Sequence, residues 1–318
     1  MNFGISYMGS KSKIAGDIVH ILPSGKRFCD LFGGGFAMSH AALLSGKWQE
    51  VFYNELNPLL VPLLKAALLG KYDYSVFKPK FITRKEFFEK KESDGYIRYI
   101  WSFGNRGVSY LFGADIEGLK EKAHNLVVFG IWDNSLAELL GDELKQIENI
   151  PKAQITERRL FFRGLVKKKR HRIDLEHLER LQRLQQLEQL QQLQHLQQLE
   201  RLERLQQLQH LEHLERLQFN TGSYLDYIYR EGDIVYCDPP YEGTAEYNKE
   251  SFNHKEFYDW VASRPFEVFF SSYDNISDKR FFNICQFEKT SLFNSGGGSR
   301  QKKIETIYSN FNNKQELF

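Results

Sequence analysis

Cysteine is scarce. Cys29, Cys237 and Cys285 are the three among 318 residues, far apart and without the paired spacing of a metal site. That argues against a disulfide framework and against bound zinc, and it fits a reducing compartment. Long apolar runs are missing too. No stretch approaches the roughly 20 residues that a bilayer-spanning helix needs. The amino-terminal MNFGISYMGSKSK lacks the apolar core of a signal peptide. The expectation is a cytoplasmic protein with no membrane contact and no metal. An excess of either charge is also absent: 43 basic against 41 acidic residues give a net charge of +2, which selects no partner. Only GLVKKKRHR gathers positive charge, at Lys167, Lys168, Lys169, Arg170 and Arg172. Such a run can touch phosphates or can simply end a solvated helix.

What is present reads as an α/β chain. RFCDLFGGG is a strand running into a glycine turn, FAMSHAALLSG a helix closed by Gly46, EVFYNEL a second strand and NPLLVPLLKAALLG a second helix. This is a parallel βαβ pattern. The rhythm disappears over residues 71 to 165, which are rich in aromatics, basic groups and glycine. It returns with DIVYCDPP as a strand, NHKEFYDWVAS as a helix, and FEVFFSSYD, QFEKTSLF and KIETIYSNF as strands. The expected organisation is a catalytic α/β domain formed by residues 1–70 and 219–318. An insertion covers residues 71–165, and a basic segment with a repeat covers residues 166–218.

The repeat places leucine at every third position from Leu175 to Leu217. An α-helix turns about 100° per residue, so three residues fall about 60° short of a turn. The leucine stripe would circle the helix in about 27 Å, whereas two-stranded coiled coils have pitches of roughly 140 Å or more. Three readings stay open: a long α-helical rod with leucines all round, a 3₁₀-like rod whose single leucine face bundles between chains, or a low-complexity expansion without a fixed partner.

Chemistry concentrates at three strand ends. Asp238-Pro239-Pro240-Tyr241 follows an apolar strand, and its two prolines stiffen the turn and lack N–H groups. A carboxylate, backbone carbonyls and an aromatic face in one rigid array suit a planar ring bearing an amino group. The same tetrapeptide can also be a plain strand–turn junction. Asp30, followed by Gly33, Gly34 and Gly35, offers an acid and a turn that lets backbone approach a ligand closely. Glu55 ends the next strand, where an acid commonly grips ribose hydroxyls.

In this order, these residues resemble the DNA N6-adenine methyltransferases of the Dam-like group. YMGSKSKIA is similar to their opening motif, DLFGGG to their methionine-binding loop, YNELN to their ribose-binding turn and DPPY to their catalytic tetrapeptide. FFSSYD and SGGGSRQKKIETIYSN resemble their closing strands, and FGNRGVSYLFG part of their target-recognition region. The resemblance implies a Rossmann-like, mostly parallel seven-stranded sheet and S-adenosylmethionine as cofactor. It implies that Tyr7, Lys11, Asp30, Phe32, Gly33, Gly34, Gly35, Glu55 and Asp238 line the cofactor site. Asp238 and the Pro239 carbonyl would hold the amino group of a flipped-out adenine, and Tyr241 would stack on the base. Arg98, Asn105, Arg106, Lys167, Lys168, Lys169 and Arg170 would contact double-stranded DNA. The resemblance leaves room for a cognate restriction endonuclease, and the leucine repeat for a homo-oligomer. Two other readings remain: an RNA or protein methyltransferase sharing the tetrapeptide, and a non-catalytic assembly protein.

Overall fold

The computed structural model describes residues 2–175, 180–241, 252–272, 276–290 and 302–312, without side chains at 174–175, 180–184, 289–290 and 302–303. Leu178 of the repeat, Tyr273, Asp274 and residues 295–301 lie outside what is described. The chain opens with α1 (Ala15–Ile21), β1 (Gly25–Asp30), α2 (Ala37–Ser45), β2 (Trp48–Glu55) and α3 (Leu60–Leu68). Then come α4 (Arg84–Lys90), α5 (Gly95–Ile100), α6 (Ala114–Phe129), α7 (Asn134–Leu140), α8 (Ile155–Leu175), α9 (Arg180–Leu193) and α10 (Gln197–Gln207). They are followed by β3 (Leu217–Thr221), β4 (Asp233–Cys237), α11 (His254–Ala262), β5 (Val268–Ser272), β6 (Phe282–Thr290) and β7 (Lys302–Ser309). The chain divides into two compact units, residues 1–62 with 211–318 and residues 63–210.

Unit 1 is a seven-stranded sheet in the order β3-β2-β1-β4-β5-β7-β6, parallel except for β7, which runs antiparallel to both neighbours. The expected mostly parallel sheet is therefore present. Its central strands are apolar along their length because they are covered on both faces, and every residue of β5 is buried. One face packs Cys29, Val235, Cys237 and Phe270 against Phe257, Trp260 and Val261 of α11. β3 was not legible in the sequence. It is a short edge strand, half polar and mostly exposed, and its first residue is the repeat's last leucine.

Chain order reverses beside β1, which pairs with β2 on one side and β4 on the other. Ligands in open α/β sheets bind beyond the carboxyl ends of strands at such a switch point. In register, Asp30 of β1 stands opposite Tyr236 of β4. Asp238 follows two residues later, on Tyr236's side of the pleat.

Unit 2 corrects the expectation of a leucine rod. α9 and α10 are α-helices separated at residues 194–196, and Leu190, Leu193, Leu196, Leu199, Leu202, Leu205 and Leu208 are all buried. A straight helix would spread seven such leucines over a full turn, but the break limits each helix to an arc that one packed face can cover. α9 packs on α8 and α6, and α10 on α5. Lys120 of α6 stops α9 by donating to the carbonyls of Gln192 and His195, as a cation at a helix carboxyl end does. On α10, Glu203 receives Arg159 at 2.6 and 2.8 Å, and Arg201 donates to the carbonyls of Ile100 (2.9 Å) and Ser102 (2.6 Å). The described leucines that a bundle between chains would have used are thus enclosed within one chain.

Leu199→Ala and Leu202→Ala should each destabilise the protein by about 2–5 kcal/mol in urea unfolding. Leu69→Ala, at a 73% exposed leucine, should stay within about 0.5 kcal/mol. Equal, small effects at all three sites would contradict the packed arrangement.

Candidate active site

The tetrapeptide after β4 is the centre of a closed polar cluster. Lys11 Nζ lies 2.6 Å from both oxygens of Asp238 and 3.2 Å from Oε1 of Glu305. The lysine side chain is 2% exposed and that of Glu305 0%, against 19% for Asp238. The Tyr241 hydroxyl has three acceptors within reach: Asp238 Oδ1 at 2.9 Å, Ser271 Oγ at 3.1 Å, and Glu305 Oε1, which is the nearest. Ser271 donates to Asp238 Oδ1 at 2.8 Å and receives Tyr236 at 3.1 Å. Lys11 Nζ also lies 4.9 Å from the centre of the Tyr241 ring. Burial first, and then the charges of Asp238 and Glu305, push the Tyr241 phenol well above its usual range, so it stays a donor.

The prolines behave unequally. His254 Nε2 sits 2.7 Å from the Pro240 carbonyl. Among the described residues no hydrogen bond reaches the carbonyl of Pro239.

The glycine turn lies at the neighbouring strand end. A Cβ on Gly33 would come within 2.2 Å of the Tyr53 ring, and Gly34 has a φ of +44°, so both positions require glycine. The Tyr7 ring packs against Gly34. Glu55 binds the turn directly, accepting from the N–H groups of Gly34 (2.8 Å) and Asn57 (2.9 Å). Burial raises its carboxyl above the usual range, and those N–H groups oppose the shift. Asp30 is 1% exposed, and its Oδ2 accepts from Ser39 N–H and Oγ at 3.2 and 2.8 Å. Among the described residues its Oδ1, which is buried, has no hydrogen-bond partner. Burial, reinforced by the charges of Asp238 and Glu55, pushes Asp30 up to about 7. Phe32 points the other way, stacking on Tyr224 and meeting Phe252 and Phe257 edge-on in the apolar cluster.

Residues expected to touch DNA lie in unit 2. A hairpin is closed by the Ser102–Tyr110 bridge and the Phe103 N–H to Ser109 carbonyl bond at 2.8 Å. It carries Asn105, with φ +59°, and exposed Arg106 at its tip. Arg98 is turned in, 13% exposed and paired with Glu92. Lys167 and Lys168 are exposed on α8, Lys169 is half-buried, and Arg170 reaches Gln194 at 3.4 Å. Glu305 and Ser271 escaped the sequence reading. The signal for Glu305 is an acid inside the apolar strand run IETIY; Ser271 sits in an all-buried strand and gives none.

A switch-point sheet with an acid–proline–proline–tyrosine turn beside a glycine cradle has the form of a methyltransferase. The family model for D12 class N6 adenine-specific DNA methyltransferases matches residues 7–314, and the chain belongs to that family. It is an enzyme that methylates adenine in DNA. No curated protein matches the chain. Among the described residues no helix is long and apolar enough to cross a membrane.

Asp30 also yields a test. Between about pH 4 and pH 7 the folded chain keeps a proton there that the unfolded chain has lost, so stability falls as pH rises across that window. Asp30→Asn should flatten that fall, by at most about 1.4 kcal/mol per pH unit, as read by urea unfolding at pH 5 and pH 7. Parallel slopes for the two proteins would show that Asp30 is not a buried proton holder.

Proposed function

We propose that the chain transfers a methyl group from S-adenosylmethionine to N6 of an adenine flipped out of duplex DNA. The observation that carries this reading is Asp238, partly exposed on buried Lys11 and one strand away from a glycine cradle. That cradle contains the orphaned oxygen of Asp30. When bound, S-adenosylmethionine supplies an electrophilic methyl on a positively charged sulfur. The residues present suit it. Asp30 Oδ1 can accept from an ammonium, Gly33 to Gly35 form a tight backbone turn packed against the Tyr53 and Tyr7 rings, and Glu55 sets a carboxylate at that turn.

The adenine amino nitrogen is a weak nucleophile because its lone pair is delocalised into the ring. Asp238 and the Pro239 carbonyl would each accept one N6 hydrogen, favour tetrahedral nitrogen and aim the lone pair. As the new N–C bond forms, the carbon–sulfur pair leaves with sulfur and the surplus N6 proton passes towards Asp238. Positioning supplies most of the catalysis. Extruding the base costs a few kcal/mol, and stacking on the Tyr241 ring would return on the order of 1–3 kcal/mol. Arg106, Lys167 and Lys168 would meet phosphates, and Asn105 at the hairpin tip would lie near bases.

Asp238→Ala should abolish transfer of labelled methyl to duplex DNA while the protein stays folded. Wild-type-like rates would refute the assignment, and labelling of RNA or protein in place of duplex would favour the runner-up. Replacing Arg106, Lys167 and Lys168 together by alanine should reduce the slope of log affinity against log salt by about 2–3. An unchanged slope would remove these three from the DNA interface.

A further inference from the structure

Glu305 is a fully buried acid for which methyl transfer as described has no task. Its surroundings suggest one. Asp238 Oδ1 already lies within hydrogen-bond distance of Lys11, Ser271 and Tyr241, and Oδ2 of Lys11. An adenine amino group arriving at Asp238 must therefore displace donors, and Lys11 stands on both oxygens. A buried ammonium cannot simply be released, because an unpaired charge in a water-poor site is heavily penalised. Glu305 lies 3.2 Å from that ammonium, on the closed side of the cluster, with 0% exposure. Glu305 is also the nearest acceptor of the Tyr241 hydroxyl. A phenol has one proton to donate, so giving it to Glu305 takes it from Asp238.

We propose that Glu305 is a positioning residue: it takes over Lys11 and the Tyr241 hydroxyl when the base docks, leaving Asp238 to the amino group. The inference rests on the methyltransferase reading above and names a part of that site. One lysine faces two carboxyl groups here, a ratio that also suits the positive charge that develops on N6. Exposure divides the labour: Asp238 meets the ligand and Glu305 anchors the donors behind it. No covalent step passes through Glu305.

The test is a double-mutant cycle on the full-length protein, read as single-turnover methylation of duplex DNA with labelled S-adenosylmethionine. Glu305→Gln preserves shape and an acceptor for Tyr241 but removes the charge. It should slow transfer by about tenfold or more, with cofactor and DNA affinities changed by no more than about twofold. In a Lys11→Met background the same change should cost less than about threefold, because no ammonium remains to be held. A wild-type rate for Glu305→Gln overturns the proposal. So does an equal slowing in both backgrounds, which is the mark of a merely structural role. If Glu305→Gln fails to bind cofactor in calorimetry, Glu305→Asp is read in the same cycle by the same criteria. A wild-type protein that methylates no DNA sinks the functional reading and this inference with it. A wild-type protein that methylates, beside an indifferent Glu305 variant, sinks this inference alone.

Discussion

The Lys11–Asp238 ion pair is the interaction on which the site depends. It joins a residue ahead of α1 to one beyond β4, 227 positions apart in sequence, and β7 closes it from behind with Glu305. Buried ion pairs hold only when their remaining donors and acceptors are satisfied. Ser271, Tyr236 and Tyr241 meet that requirement with hydroxyls, which can donate to one neighbour and accept from another. The same arrangement couples its members, since losing one charge changes what the others face. It also explains the position of Ser271 on a fully buried strand, where a hydroxyl is costly unless bonded.

Two acids at neighbouring strand ends face different surroundings, and the sheet topology produces the difference. Asp238 has an ammonium within reach of both oxygens. Asp30, a strand away at the switch point, has one oxygen on Ser39 and the other without a partner among the described residues, and burial pushes it up to about 7. A cation arriving at Asp30 would favour its charged form, so ligand binding there is tied to loss of a proton. The glycine turn that follows β1 is held against β2, by Tyr53 at Gly33 and by Glu55 at the Gly34 N–H. Glu55 therefore shapes the turn whatever else it binds.

Much of unit 1 was legible because its strands are apolar runs ending in residues that are costly to bury. Asp30, Glu55 and Asp238 could be marked as strand ends, and Gly33 to Gly35 as a close approach, from sequence alone. Glu305 could not, since its meaning comes from β7 lying next to β5, a long-range pairing that no local pattern encodes. The burial of Arg98 is equally non-local: its side chain is 13% exposed while its acid partner Glu92 is 69% exposed. β3 escaped because an edge strand needs little apolar surface, and its residues continue the Gln-rich texture of the repeat.

The repeat was legible as apolar but not as architecture. A period of three matches neither the 3.6 of an α-helix nor the 3.5 of a coiled coil, so no single straight element can bury it on one side. Breaking the helix at 194–196 resolves the conflict, but drift within α10 still turns some polar positions inward. Gln198 and Arg201 are buried alongside the leucines. Arg201 is satisfied because its guanidinium finds the carbonyls of Ile100 and Ser102, where α5 ends and the hairpin begins. Ser102 in turn receives the Gly107 N–H on its hydroxyl at 3.0 Å. The mismatch between repeat and helix thus places a buried arginine against the base of the hairpin, fixing that base while Arg106 at the tip stays exposed.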